Sequence, residues 1–261
     1  ELPGTPLLVA EFGIGTADFI DGAITECFVG TDVYSMILAY DEEKFPDAKP
    51  TTPGDFFDTE AFPGKRTMRK GAKFNLEFAL MADGVPAAEV YEVLSTPEGV
   101  DRAFAKLDTI KNNIIWWEAG AQPPQLLADG EVTMAYAFNG RIFSASQGEG
   151  KPFKIVWDGQ IYEMEGWVIP KGAPNLEDAL EFVTFSTSTA PQARAAEFIS
   201  YGPPRRSAAA AVGNIEGTEE PMGPNLPTFE ANMANALASD LDFWVDHDAE
   251  LNERFNSWLA N

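Results

Sequence analysis

The 261 residues carry 41 Asp and Glu against 18 Lys and Arg, a formal net charge of −23. That balance argues against nucleic acid and anionic membrane surfaces as partners, and no run of about 18 apolar residues offers a transmembrane helix. Hydrophobic residues make up 45% of a chain long enough for two domains, so disorder is excluded as the main state. The charge itself reads as a hydrated surface that would also attract a cationic ligand. Cys27 is the one cysteine, which rules out an internal disulfide; it reads as a small buried hydrophobe.

Strand and helix signals alternate along the chain. Val29–Tyr40 predicts one or two extended strands. The Pro- and Thr-rich stretch Phe45–Gly54 reads as a domain boundary. Asn75–Ala82 predicts a short helix ended by Gly84. After Ser95 and Thr96, Pro97 opens a helix whose stripe is Val100, Ala103, Phe104, Leu107 and Ile110. Glu131–Phe138 is a near-continuous apolar run, as in a parallel-sheet strand buried on both faces. Phe153–Trp157 and Gly166–Pro170 are two further strand candidates. Asn175 with Asp178 signals a helix start, Thr189 opens another helix expected to stop near Gly202, and Trp244, Leu251, Phe255, Trp258 and Leu259 mark a last one. The class is α/β.

Enzyme and cofactor signatures are missing: there is no G-x-S-x-G, H-E-x-x-H or P-loop, and Gly13-Ile14-Gly15 lacks the third glycine of a dinucleotide fingerprint. No catalytic residue, metal site or cofactor is expected. His247 reads as a helix-face histidine. Asp240, Asp242, Asp246, Asp248 and Glu250 form a solvated acidic face, because they lack the glycine and final glutamate of a calcium loop. More informative are aromatics and carboxylates at strand ends: Trp116-Trp117-Glu118, Phe138-Asn139-Gly140-Arg141, Tyr162-Glu163-Met164-Glu165 and Tyr201-Gly202-Pro203. Ligands of open α/β sheets sit beyond such ends, and aromatic walls with carboxylates suit an alkylammonium ion.

The ordered set continues with Asp55-Phe56-Phe57-Asp58, Phe62-Pro63-Gly64-Lys65-Arg66, Asn75-Leu76-Glu77, Gly120-Ala121-Gln122 and Trp167-Val168-Ile169-Pro170-Lys171-Gly172. From about Asp18 onward the chain resembles the spermidine/putrescine-type extracellular solute-binding proteins of bacterial ABC importers. The resemblance implies the type II periplasmic binding fold, two α/β lobes joined by a hinge that traps solute between them. It places lobe one at residues 1–45 and 166–261, with its first strands missing, and lobe two at 46–165. Leu2–Gly15 matches poorly, so the expectation is an N-terminally incomplete chain. The implied protein is a periplasmic monomer without catalytic activity, partnered by a small solute and a membrane permease; no signal peptide is visible at Glu1-Leu2-Pro3-Gly4.

By resemblance, Phe138 takes the position of an aromatic stacked on the ligand, Glu165 that of the main amine-binding carboxylate and Tyr201 that of a wall aromatic. Glu163 replaces a further aromatic. Glu118, Gln122, Asn75 and Tyr34 are secondary ligand-binding candidates. The family's two acids for a second amine align with Gly71 and Phe74, which leaves open a compact cation, an amino-acid-like zwitterion or a small organic acid. For a carboxylate, Lys70, Asn75 and Arg141 are at hand. Trp117 or Trp116 is expected to pack in lobe two while the other approaches the ligand. Glu165 is expected to be buried and paired. The competing readings are a fragment that binds nothing and a hydrolase using Glu163 and Glu165 as acid and base.

Overall fold

The computed structural model describes residues 16–261; Gly13-Ile14-Gly15, and with it the poorly matching N-terminal stretch, lies outside them. The strands are β1 (Val29–Asp41), β2 (Arg66–Arg69), β3 (Ile114–Trp117), β4 (Met134–Phe138), β5 (Phe153–Trp167) and β6 (Leu237–Ala238). The helices are α1 (Pro53–Phe57), α2 (Asn75–Ala82), α3 (Val90–Leu94), α4 (Pro97–Asp108), α5 (Gln122–Ala128) and α6 (Asn139–Phe143), followed by α7 (Leu176–Ser186), α8 (Thr189–Ala196), α9 (Arg206–Ala211) and α10 (Leu241–Ala260). The chain folds into two compact units. The first holds the described residues through Tyr34 and Glu163–Met233; the second holds Ser35–Tyr162 and Ala234–Asn261.

In the second unit the sheet order is β3-β2-β4-β1-β5-β6. β2 runs parallel to both β3 and β4, and β1 runs antiparallel to β4. The apolar run before Asn139 is therefore a buried strand in a mixed sheet, not a parallel one as its composition suggested. Met134, Ala135, Tyr136 and Ala137 are all buried, since side chains on both faces meet hydrophobic clusters. α4 starts as expected: the Thr96 hydroxyl accepts from the Gly99 N–H at 3.0 Å, and Val100, Ala103, Phe104 and Leu107 face the core.

Arg66, the first residue of β2, is fully buried. Its guanidinium donates to the carbonyls of Phe56, Asp58, Phe62 and Gly64, so one side chain ties the loop before β2 to α1. α10 is capped by Asp240, whose carboxylate accepts from the Phe243 N–H at 2.9 Å. It buries Phe243, Trp244, Leu251 and Phe255, and Trp258 donates to Asp108 at 2.6 Å. These contacts place Ala234–Asn261 in the second unit, whereas the family resemblance grouped that segment with lobe one. The Phe45–Gly54 stretch, read as a boundary, likewise lies inside the second unit.

Two strand expectations change. β5 is a single long strand, and Val168–Ile169–Pro170 is not extended into the sheet; Val168 is exposed. The residues between the two strand candidates, Asp158 to Glu165, belong to the same strand. Gly159 adopts φ 68° within the strand, and a Cβ there would lie 2.3 Å from the Pro53 ring. Only glycine combines that backbone with that approach.

The first unit has a smaller core of Phe19, Ala23, Val29 and Val183. Buried Arg205 holds it together: it pairs with Asp18 at 2.8 Å, donates to the Thr187 carbonyl and lies over the Phe19 ring. Gly202 exchanges both backbone hydrogen bonds with Val33 at 2.8 Å. That bridge draws the chain away from a helical path, and α8 ends at Ala196 rather than near Gly202. Cys27 is exposed in a turn rather than buried, because the turn before β1 carries it outside the apolar cluster. Among the described residues, no helix is long and apolar enough to cross a membrane and no group of three or more His, Cys, Asp or Glu is placed to hold a metal ion.

Candidate functional site

The three parallel strands β2, β3 and β4 end at Arg69, Trp117 and Phe138, with Arg69 in register with Trp117. The sheet therefore brings a cation and two aromatics together at its carboxyl edge, the location at which open α/β sheets take ligands. Trp117 is buried and donates its indole N–H to the Tyr136 carbonyl at 2.9 Å. Its ring meets Phe138 edge-on at 5.7 Å, and Phe74 meets Phe138 at 6.5 Å. Gly120 keeps this corner open: a Cβ there would lie 3.3 Å from the Phe138 ring. Trp116 points elsewhere, packing on Phe255 and Trp258 of α10. Of the two indoles it is thus Trp117 that reaches the strand-end group.

The secondary candidates of this unit have structural occupations. Asn75 is buried; its amide donates to the carbonyls of Arg69 and Gly71, bracing the turn before α2, while its Oδ1 has no partner. The Gln122 Oε1 accepts from the Glu118 and Ala119 N–H groups at 2.8 and 2.7 Å, shaping the loop after β3. Glu118 pairs with Lys70 at 2.9 Å. Asn139 fixes the start of α6 by accepting from the Ser35 N–H at 2.9 Å. Arg141 is exposed on α6 and borders a surface cavity with Asp129, Glu149 and Lys151.

In the first unit, Tyr34, Glu163 and Tyr201 come together. The Tyr34 hydroxyl donates to the Glu163 carboxylate, and the Tyr34 and Tyr201 rings lie 6.2 Å apart. Glu165 is exposed, contrary to the expectation of a buried, paired carboxylate, because the end of β5 runs to the surface. A half-buried acid of this unit is Asp32, on β1. Burial raises its carboxyl above the usual range, opposed by the Thr31 hydroxyl that donates at 2.9 Å, and the negative charge of Glu165 raises it further. Asp32 Oδ1 is buried and has no hydrogen-bond partner among the described residues. Sequence reasoning passed over Asp32 because it sits in an apolar strand, where one acid looks like an outward-facing residue. An acid flanked by Thr31 and Val33 at the start of a long apolar run was the available signal.

Comparison with known proteins decides the family. Residues 11–224 match the bacterial extracellular solute-binding protein family. The chain is 49% identical over 251 residues to the gamma-aminobutyric acid-binding protein of Pseudomonas aeruginosa, covering 96% of this chain and 69% of that one. The chain belongs to the bacterial extracellular solute-binding protein family. It is the solute-binding receptor of an ABC transporter, with a small molecule as its ligand and a permease as its partner.

Solved structures agree. The periplasmic binding protein MotA from A. tumefaciens B6, in complex with glucopine, superposes with a TM-score of 0.81 at 30% identity, covering 94% of this chain and 75% of that one. The Atu4243 GABA receptor gives 0.78 at 32% identity, covering 94% of this chain and 72% of that one. The two-lobe α/β fold is that of these binding proteins. Spermidine/putrescine-binding structures are more distant, at 17% identity and a TM-score of 0.68 for the Streptococcus pneumoniae protein, so they share the fold alone. The resemblance held for the receptor class, and its polyamine part gains no support. Neither the hydrolase nor the inactive fragment is favoured by these matches.

Proposed function

We propose that this chain is a periplasmic receptor for a small ω-amino acid of the γ-aminobutyrate type. The observation that carries this reading is the 49% identity to a gamma-aminobutyric acid-binding protein across 96% of the chain. The chemistry of the units supports it. The first unit offers carboxylates and tyrosines suited to an ammonium group: Glu163, Glu165, Asp32, Tyr34 and Tyr201. The second offers Arg69 and the Phe138 ring at its strand ends, a cation for a carboxylate and an apolar surface for methylenes. Loss of the family's second pair of amine-binding acids to Gly71 and Phe74 argues in the same direction, away from a diamine.

Thermal-shift screening with γ-aminobutyrate, putrescine, spermidine and succinate tests it, followed by isothermal titration of the hits. A ligand that binds only the native state raises the melting temperature with its concentration. The reading expects that rise for γ-aminobutyrate and its near homologues. A rise for putrescine or succinate with none for γ-aminobutyrate would replace the ligand class. Arg141→Gln should leave affinity within about threefold, because the exposed Arg141 faces a separate surface cavity.

A further inference from the structure

The first unit contains a cavity of about 200 Å³ bordered by Thr31, Asp32, Trp167, Gln192, Ile199 and Tyr201. Its polar inventory is one-sided. Asp32 Oδ2 already receives the Thr31 hydroxyl, and its Oδ1 is buried with no donor. Gln192, on α8, is 4% exposed; its amide N–H donates to the Gly30 carbonyl at 3.0 Å, which fixes the amide orientation. That orientation leaves Gln192 Oε1 buried with no donor. Two residues that border the same small space therefore each carry a buried acceptor with no donor among the described residues, one of them anionic.

Buried acceptors without donors are costly, and an unpaired buried carboxylate more so. The kind of group that answers such deficits is cationic and carries several N–H donors. A primary ammonium has three donors and no acceptor, so it fits this set and an anion does not. The lining agrees: Trp167 and Tyr201 are aromatics of the kind that attract a cation, and Ile199 is apolar, as an adjoining methylene requires. Whole small-molecule sites span roughly 300–1,000 Å³. A space of about 200 Å³ suits one end of a ligand rather than all of it.

We infer that this cavity is the ammonium subsite of the receptor, with Asp32 as the counter-charge and Gln192 Oε1 as the second acceptor. Glu165, exposed and nearby, contributes longer-range attraction rather than the contact itself. The assignment rests on the ω-amino-acid reading above. It moves the principal charge contact from Glu165, the residue the family resemblance suggests, to Asp32.

Isothermal titration with γ-aminobutyrate and with butyrate, which lacks the amine, tests it on the wild-type protein, Asp32→Asn and Glu165→Gln. The wild type should bind γ-aminobutyrate and not butyrate. Asp32→Asn should weaken γ-aminobutyrate roughly thirtyfold or more, as for loss of a buried charge partner, while Glu165→Gln stays within about threefold. In wild-type protein, ¹⁵N NMR should show the Gln192 side-chain amide shifting on addition of γ-aminobutyrate. This readout stands even if Asp32→Asn fails to fold. If the wild type binds no ω-amino acid, the functional reading falls and the subsite with it. If it binds but Asp32→Asn is within threefold, or the Gln192 amide does not respond, the subsite assignment alone is overturned.

Discussion

Each unit holds a carboxylate with one buried oxygen that has no hydrogen-bond partner among the described residues, and the two differ in what surrounds them. Glu77 on α2 is fully buried in the second unit. Its Oε1 accepts from the Trp244 indole at 2.8 Å and from the Tyr91 hydroxyl at 3.1 Å, while Oε2 has no partner. Burial pushes its carboxyl up to about 7, with the two donors opposing. Its neighbours are packed aromatic rings. Asp32 shares the raised carboxyl and the orphan oxygen, but it lines a cavity together with Gln192, which carries a second orphan acceptor. A shifted carboxyl therefore marks burial in both cases. Space and complementary acceptors are what turn one of them into a candidate for recognition.

The largest expected effect breaks the Glu77 side of this pair. Trp244→Ala removes a buried indole from α10 and deprives Glu77 of its closest donor. Destabilisation of about 3–5 kcal/mol is expected for loss of a buried aromatic, read as a fall in the urea midpoint. A change under about 1 kcal/mol would mean that α10 is not the cover of this core. Trp244→Phe, which keeps most of the packing, should cost less than the alanine variant and isolate the lost hydrogen bond.

A smaller effect follows from protonation. The native state holds a proton on Glu77 up to about pH 7, whereas the unfolded chain releases it near the ordinary 4.5. Stability from this group is thus fully present below about pH 4.5 and lost as pH rises toward 7, then flat. The amount is about 3 kcal/mol, at 1.36 kcal/mol per pKa unit. Other carboxylates titrate over the same range, so the quantity to measure is the difference between wild type and Glu77→Gln. Glutamine keeps an acceptor for Trp244 and Tyr91 and carries no charge. It should be the more stable protein at pH 8 and lose that advantage at pH 4. Parallel pH profiles would show that Glu77 does not titrate in the native state's place.

How far the sequence disclosed this architecture depends on the kind of signal. α4 and α10 were legible because capping residues and a 3.6-residue apolar stripe act locally: Thr96 and Pro97 fix the start of α4, and Phe104 or Phe255 the buried face, whereas Asp240, read as part of an acidic face, is the cap of α10. The join at Gly159 was not, because a positive-φ glycine within a strand has the same composition as a turn. The affiliation of α10 was hidden too. Which unit an amphipathic helix covers depends on partners such as Glu77 and Asp108, far away in the chain. For the site, aromatic residues at strand ends led to Phe138 and Trp117. Arg69 went unnoticed because only the register of β2 with β3 brings it beside them. Asp32 was missed because β1 and α8 bring it and Gln192 to one cavity, and no spacing in the sequence encodes that.

The smallest expected effect is the sharpest on the other side of the comparison. Asp32→Asn retains the shape and still offers an acceptor to the Thr31 hydroxyl. It removes a charge that burial disfavours, and its new N–H groups supply donors where the native site has only orphan acceptors. With no ligand present, the variant should be no less stable than wild type and up to about 1 kcal/mol more stable, the direction usual when a binding residue kept at a stability cost is replaced. The sign follows from linkage. A carboxyl raised in the folded state withdraws stability as pH climbs above its ordinary value of 3.8, so the gain should be seen at pH 8 and vanish in acid. Urea denaturation of both proteins at pH 8 and pH 4, without solute, measures it. Destabilisation of more than about 1 kcal/mol at pH 8 would set Asp32 apart from Glu77, as a carboxylate that holds the fold together. A neutral or positive change would align the two as carboxylates that cost stability when ionised, and only the loss of solute affinity, expected for Asp32→Asn, would then separate them.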